Sequence, residues 1–154
     1  MDFTHMNQKG QIQQVNVGAK PVVHRTAKAQ GKIFMAPHTL QKIGSNDIQK
    51  GNVLETARLS AIMASKKTSD LIPLCHTLLL DHVGVEFKMH ADHIEVETSV
   101  ETCAKTGVEM EALTAVMVGL LTIYDMCKAI DATMRFEGIR LLQKTKDRKG
   151  KSLC

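Results

Sequence analysis

The order of elements legible in this chain is strand, helix, strand, strand, helix, strand. That order predicts an α+β domain of the ferredoxin-like type, a βαββαβ chain whose antiparallel sheet carries its two main helices on one face. Two observations predict it most directly. Val83, Val85, Phe87 and Met89 alternate with polar or small residues, and Ile94, Val96, Thr98 and Val100 repeat the pattern after a short turn containing Ala91-Asp92. This is a hairpin with one wet face. Segments of helical spacing flank it on both sides.

Residues 1 to about 20 are polar and weakly patterned, an arm in need of a partner surface. Val22–Met35 alternates in part and reads as the first strand, broken near Gly31. Pro37 opens a short helix to about Ile43. A stronger helix is expected over about 53–67. There Asn52 and Glu55 have the spacing of a capping box, Val53, Leu54, Ala57, Ala61 and Ile62 recur at helical intervals, and Lys66 and Lys67 suit the C-terminal dipole. A long helix is expected from about Val108 to Met134, with Thr106 and Glu109 as its capping box. Met110, Leu113, Met117, Leu120, Leu121, Tyr124 and Cys127 form one stripe along it. Val116, Ile123 and Ile130 widen that stripe beyond what one sheet face covers, so a second subunit is expected against it. Gly138–Lys144 is the last strand.

The chain of 154 residues reads as a single domain, with 44% hydrophobic and 23% charged residues, few aromatics and nine Met. Its net charge of +4 resides in the tail, where Lys144, Lys146, Arg148, Lys149 and Lys151 outnumber Asp147. The body is neutral, so residues from about 147 to 154 read as a solvated basic end and no specific nucleic-acid partner is expected. Cys75, Cys103, Cys127 and Cys154 are widely spaced with no C-x-x-C, which reads as reduced thiols in a cytoplasmic protein. No signal-peptide layout opens the chain. Its longest chargeless run, Ala112–Tyr124, is too short to span a bilayer, so no membrane is expected.

Several residues stand out chemically. In "SDLIPLCHTLLL", Pro73 excludes a regular helix or interior strand, yet Cys75 and His76 sit side by side among leucines. Either the pair is core packing, or an apolar wall holds His76 at the edge of a pocket. Lys50 is either an ordinary exposed lysine or an anion contact: it precedes a helix N-terminus with free N–H groups, and Gly51 beside it permits close backbone approach. Asp125 and Lys128 share a helix face amid apolar neighbours, either as a surface ion pair or as an acid–base pair. Glu109 has a structural role as the capping-box acid; Glu111 has only the dipole argument. No Walker, dinucleotide-binding or H-E-x-x-H motif is present.

Taken together, "KGNVLETARLSAIMASKKTSDLIPLCHTLLL" and "KTGVEMEALTAVMVGLLTIYDMCKAI" closely resemble the molybdenum cofactor biosynthesis protein C family, the cyclic pyranopterin monophosphate synthases. "FTHMN" at 3–7, "VHRTAKA" at 23–29 and "GIRLLQK" at 138–144 extend the likeness over nearly the whole chain. It departs from the family's usual pattern at Asn16, Asn52, Thr77 and in its ending "DRKGKSLC".

The resemblance implies a ferredoxin-like fold and a phosphorus–oxygen lyase. The reaction would convert (8S)-3′,8-cyclo-7,8-dihydroguanosine 5′-triphosphate into cyclic pyranopterin monophosphate and pyrophosphate, within molybdopterin synthesis. It implies a homohexamer, a trimer of dimers, with pockets between subunits. It also implies roles: Asp125 as catalytic aspartate, Lys50 and Lys128 as proton-moving lysines, and Leu74, Cys75, His76, Met110, Glu111, Glu109, Arg25 and Lys144 as substrate-contacting residues. No tightly bound cofactor or protein metal site is implied, only Mg2+ accompanying the triphosphate. The competing reading is a non-catalytic ferredoxin-like nucleotide-binding paralogue. An RNA-binding version needs stacking aromatics on the sheet, where the central strands offer only Phe87.

Overall fold

Eight elements follow one another in the structure, a computed structural model that describes residues 5–147 and 154. Phe3 and Thr4 of the arm, and Arg148, Lys149 and Lys151 of the basic tail, lie outside the described residues. The elements are β1 (Val23–Phe34), α1 (Pro37–Gly44), α2 (Val53–Ser65), α3 (Thr68–Leu71), β2 (His82–Met89), β3 (His93–Ala104), α4 (Glu109–Cys127) and β4 (Arg135–Lys146). All strand pairs are antiparallel, in the order β2-β3-β1-β4. α2 and α4 pack on each other and on the same face of the sheet, the expected ferredoxin-like arrangement.

That face buries Ala27, Ala29 and Ile33 of β1 and Ile94, Val96 and Val100 of β3 against Val116, Leu120 and Ile123 of α4. Thr98, the polar residue in this row, donates its hydroxyl hydrogen to the Ala112 carbonyl at 2.9 Å, so its burial leaves no unmet hydrogen bond. Contrary to the expected break, β1 runs on through Gly31, although its pairing with β4 shifts register between Gln30 and Lys32. A Cβ there would lie 2.7 Å from Val116 and 2.9 Å from Leu120, so the glycine lets α4 approach the strand. Gly31→Ala is therefore expected to cost about 1–3 kcal/mol by overpacking. An unchanged urea midpoint would contradict this packing.

Several other expectations are corrected. α4 ends at Cys127 rather than near Met134, because the N–H groups of Ile130 and Asp131 both return to the Cys127 carbonyl and close a turn. Asn52 does cap α2, its Oδ1 accepting from the Glu55 N–H at 3.1 Å. The capping box of α4 does not form: its first turn has no side-chain cap, and Glu109 instead meets Lys144 Nζ at 3.1 Å. Cys103 and Cys154 are joined in a disulfide, so the expectation of four reduced thiols fails; Cys75 and Cys127 remain thiols. Phe87 packs toward the helices under Arg58, while Phe34 lies on the open sheet face between His93 and Arg135. The rest of that open face is charged, with Lys28–Glu97 and Lys32–Glu95 pairs across the strands.

α4 has the length and mean hydropathy of a membrane span, but more than half of it is buried in this core. Its other side keeps an exposed apolar stripe of Met110, Met117 and Leu121, the last two 52% and 57% exposed. A four-residue step and then a three-residue step continue this stripe onto Asp125 and Lys128, so all five share one helix face.

Candidate active site

The two ends of α4 carry different chemistry. At its N-terminal end, a cleft of about 460 Å³ is lined by Leu74, Cys75, His76, Glu109, Met110 and Glu111. Pro73 lies in a turn after α3, and residues 75–80 run without regular structure, as the proline required. The arm finds its surface here. Gln14 Nε2 donates to the Cys75 carbonyl at 2.9 Å, and His76 Nε2 lies 2.8 Å from the Val15 carbonyl. The leucines that support this segment are Leu78 and Leu80, which pack on the core; Leu79 is 91% exposed. His76 is thus a partly buried histidine at a cleft wall. Lys20, His5 and Thr106 also line the cleft; the sequence marks Thr106 only as a helix cap, His5 only as part of a family-like segment, and none of the three as a site residue.

Glu111 is only 4% exposed. Burial pushes its carboxyl up to about 6, against the hydrogen bond from its own backbone and with help from Glu109. Burial, and then Glu111, likewise push the Cys75 thiol up, which suits packing rather than attack. A carboxyl whose folded pKa lies above its ordinary 4.5 stabilises the fold fully below that pH, and this contribution is lost as pH rises through about 6. Glu111→Gln should therefore raise neutral-pH stability by on the order of 1 kcal/mol and flatten the pH dependence between those values. Parallel slopes for variant and parent would show that Glu111 does not titrate in this window.

An adjoining cleft of about 230 Å³ shares Gly107 and Glu109 with the first and is lined by Arg25, Lys144 and Lys146. Register brings them together, since β4 runs antiparallel beside β1 with Arg25 opposite Lys146. Arg25 is fixed by Nε and Nη2 donating to the Ala104 and Lys105 carbonyls at 3.1 and 3.0 Å. All eight residues expected to contact substrate thus gather around Gly107–Glu109, with three basic side chains on one side and the buried carboxyl on the other.

Lys50, Asp125 and Lys128 meet at the opposite end of α4. Lys50 Nζ donates to the Asp125 backbone carbonyl at 2.8 Å and to Oδ2 at 3.1 Å; Lys128 Nζ lies 2.7 Å from Oδ1. Gly51, at φ +101°, supplies a backbone conformation that turns Lys50 out of the α2 cap toward α4. The Lys128 and Lys50 hydrogen bonds hold the Asp125 carboxyl below its ordinary range, and Asp125 holds the Lys128 ammonium above its own. In the single chain Lys128 is therefore a firm cation, not the depressed base that proton abstraction needs. All three side chains are about half exposed. A cleft of about 480 Å³ opens beside them between Lys42, Ile48 and Lys50 on one wall and Met126 and Ile130 on the other.

The ends are far apart. From Glu109 to Asp125 the helix rises about 24 Å, so no small molecule in the first clefts reaches the Lys50–Asp125–Lys128 group of the same chain.

Residues 14–147 match the MoaC family. The chain is 50% identical to the cyclic pyranopterin monophosphate synthase of Roseiflexus castenholzii, over 99% of this chain and 98% of that protein. It is 53% identical to the synthase of that name from Novosphingobium aromaticivorans, covering 98% and 94%. The Natranaerobius thermophilus synthase is 48% identical, covering 97% and 95%.

Proposed function

The chain belongs to the MoaC family, and we infer accordingly that it is a cyclic pyranopterin monophosphate synthase. It is a lyase that converts a cyclised dihydro-GTP to cyclic pyranopterin monophosphate and pyrophosphate. In that reaction the α-phosphorus exchanges its bond to the departing pyrophosphate for one to a sugar-derived hydroxyl. Charge builds on the leaving oxygens, and the purine and sugar rings open and reclose with proton transfers.

The observation that carries the assignment of roles is the division of α4. Arg25 and Lys144 stand at the clefts of its N-terminal end, where their cations would stabilise the charge developing on the pyrophosphate, with the His76 ring beside them. Met110, Glu111 and the Leu74–Cys75 backbone offer an apolar and hydrogen-bonding wall for the base. Lys50, Asp125 and Lys128 form the proton-handling group at the other end. One active site needs both ends, and two chains supply them. If the stripes of two α4 helices pair antiparallel about Met117, Asp125 and Lys128 of one chain meet the Glu109–Glu111 end of the other, and one two-fold axis makes two complete sites. Covering the half-exposed lysines also removes water from them, the condition under which one can give up its proton.

The apolar Leu59 and Met63 on the outer side of α2 offer a further contact surface, which supports growth of the dimer to a homohexamer. Among the described residues no group of three or more His, Cys, Asp or Glu could hold a metal. Mg2+, in this reading, arrives on the substrate's triphosphate oxygens. Neither a membrane nor a specific nucleic acid takes part, and a GTP-derived substrate suits a cytoplasmic location.

Incubating the purified protein with the cyclised dihydro-GTP should yield pyranopterin monophosphate and pyrophosphate in equal amounts. Absence of both, under conditions where the Roseiflexus synthase turns over, would overturn the assignment.

A further inference from the structure

Asp131 was assigned no role on sequence grounds, and it is a carboxylate only 5% exposed. Buried carboxylates are expensive unless hydrogen bonds replace their water. Here four do, divided between the two oxygens. Oδ2 accepts from the Ala36 N–H at 2.8 Å and the Thr39 hydroxyl at 3.1 Å, at the N-cap and in the first turn of α1. Oδ1 accepts from the Thr133 N–H at 2.9 Å and the Thr133 hydroxyl at 2.7 Å, in the turn that leaves α4. Although burial works against the charge, these bonds outweigh it and hold the carboxyl down at about 2.

The position of this cluster matters more than its strength. Asp131 lies three residues beyond Lys128, and its own N–H bonds to the Cys127 carbonyl at 3.1 Å, so it fixes the exit of the helix that bears Asp125 and Lys128. On the other side it grips the start of α1, the helix whose far end leads through two tight turns to Lys50. On the outer side of these elements, beyond the core that holds Leu40, Ile43, Met126 and Cys127, lies the cleft of about 480 Å³. The hydrogen bonds of Asp131 supply the directional link between α1 and the end of α4; the His38 ring, 3.4 Å from the Ile130 carbonyl, is the only other polar link between these two segments among the described residues. The Lys50–Asp125 contacts at 2.8 and 3.1 Å thus depend on a relative placement of two elements that Asp131 sets.

We propose that Asp131 is a positioning residue for the reaction, the hydrogen-bonded joint that holds Lys50 in register with Asp125 and Lys128. It touches no substrate. It acts by fixing the mutual placement of three groups that do, and misplacement on the order of 1 Å between reacting groups costs roughly a hundredfold in rate. This inference rests on the proton-handling role proposed for the Lys50–Asp125–Lys128 group.

Asp131→Asn keeps the size of the side chain but turns an N–H2 toward a backbone or hydroxyl donor, breaking one side of the joint. It should lower kcat by at least about tenfold while KM stays within about threefold, because the substrate-contacting clefts lie at the other end of α4. Val100→Ala, a core truncation in β3 away from all these groups, serves as the stability control. Measured at a temperature where both variants are folded, it should keep its kcat even if its Tm falls as far. Should Asp131→Asn fail to fold, Thr39→Val removes one bond from the joint and should still lower kcat at least about threefold at unchanged KM. A kcat within twofold of the parent in the folded Asp131 variant, or equal losses in the Val100 control, would overturn the proposal. If the parent protein itself does not turn over the cyclised dihydro-GTP, the assigned function fails and the joint is judged by NMR of the 15N-labelled lysines. Shifted Lys50 and Lys128 ammonium signals in Asp131→Asn then support the joint, and unchanged signals overturn it.

Discussion

Asp125→Asn, Lys128→Ala and Lys50→Ala are each expected to lower single-turnover rate by at least about a hundredfold, the lower range for general acid–base groups. Double variants should lose little more than single ones, because Asp125 joins both lysines in one hydrogen-bonded group and the group fails as a unit. Melting temperatures should barely move, since all three side chains are about half exposed and exposed ion pairs contribute little to folding. A structural ion pair makes the opposite forecast, with lower stability and normal turnover. Arg25→Ala and Lys144→Ala should instead raise KM markedly, as their cations line the cleft assigned to the triphosphate. Melting curves and single-turnover rates on the same variants decide between the two accounts; rates that hold while stability drops would remove the triad from the mechanism.

Leu121→Glu carries the second large effect. Leu121 is exposed at the middle of the α4 stripe and touches neither cleft. A carboxylate there leaves the single chain's fold intact but, on pairing, buries an unpaired charge against the partner helix about 6 Å to either side of the axis at Met117. Sedimentation should shift to the single chain, and turnover should fall at least about a hundredfold although every assigned site residue is present, since catalysis then lacks one of its two halves. A single chain that retains full turnover would show that each chain holds a complete site.

Much of the fold was legible because its signals are local. The hairpin's alternation, the Asn52 cap and the helical spacing of α2 and α4 all act within a few residues. The misreadings arose where a distant partner decided the outcome. Ile130 and Met134 continue the apolar spacing of α4, but Asp131 is drawn to Ala36 and Thr39, more than ninety residues earlier, and the helix stops. Glu109 has the spacing of a capping acid, yet Lys144 on β4 claims it. Cys103 and Cys154 are 51 residues apart, and nothing local announces that β3 and the chain end meet. The site shows the same division. Asp125 and Lys128 were visible as neighbours on a helix, whereas Lys50, 75 residues away from Asp125, was tied to them only through the family resemblance. The separation of the two half-sites was implicit in the spacing of Glu109 and Asp125 along one rigid helix. It took the three-dimensional placement of Arg25, His76 and Lys144 to show that the residues expected to contact substrate all stand at one end of α4.

The central claim is that each active site takes its cations and base-contacting wall from one chain and its proton-handling group from another. Mixing two separately inactive variants tests it. Asp125→Asn damages only the C-terminal half-site, and His76→Ala with Arg25→Ala damages only the N-terminal one. When the two proteins are dissociated, mixed in equal amounts and reassembled, a mixed dimer has one site built wholly from undamaged halves. Statistical pairing then predicts recovery of about a quarter of the parent activity. Activity that stays at the level of the separate variants, with mixed assemblies demonstrated in the sample, would contradict the shared site.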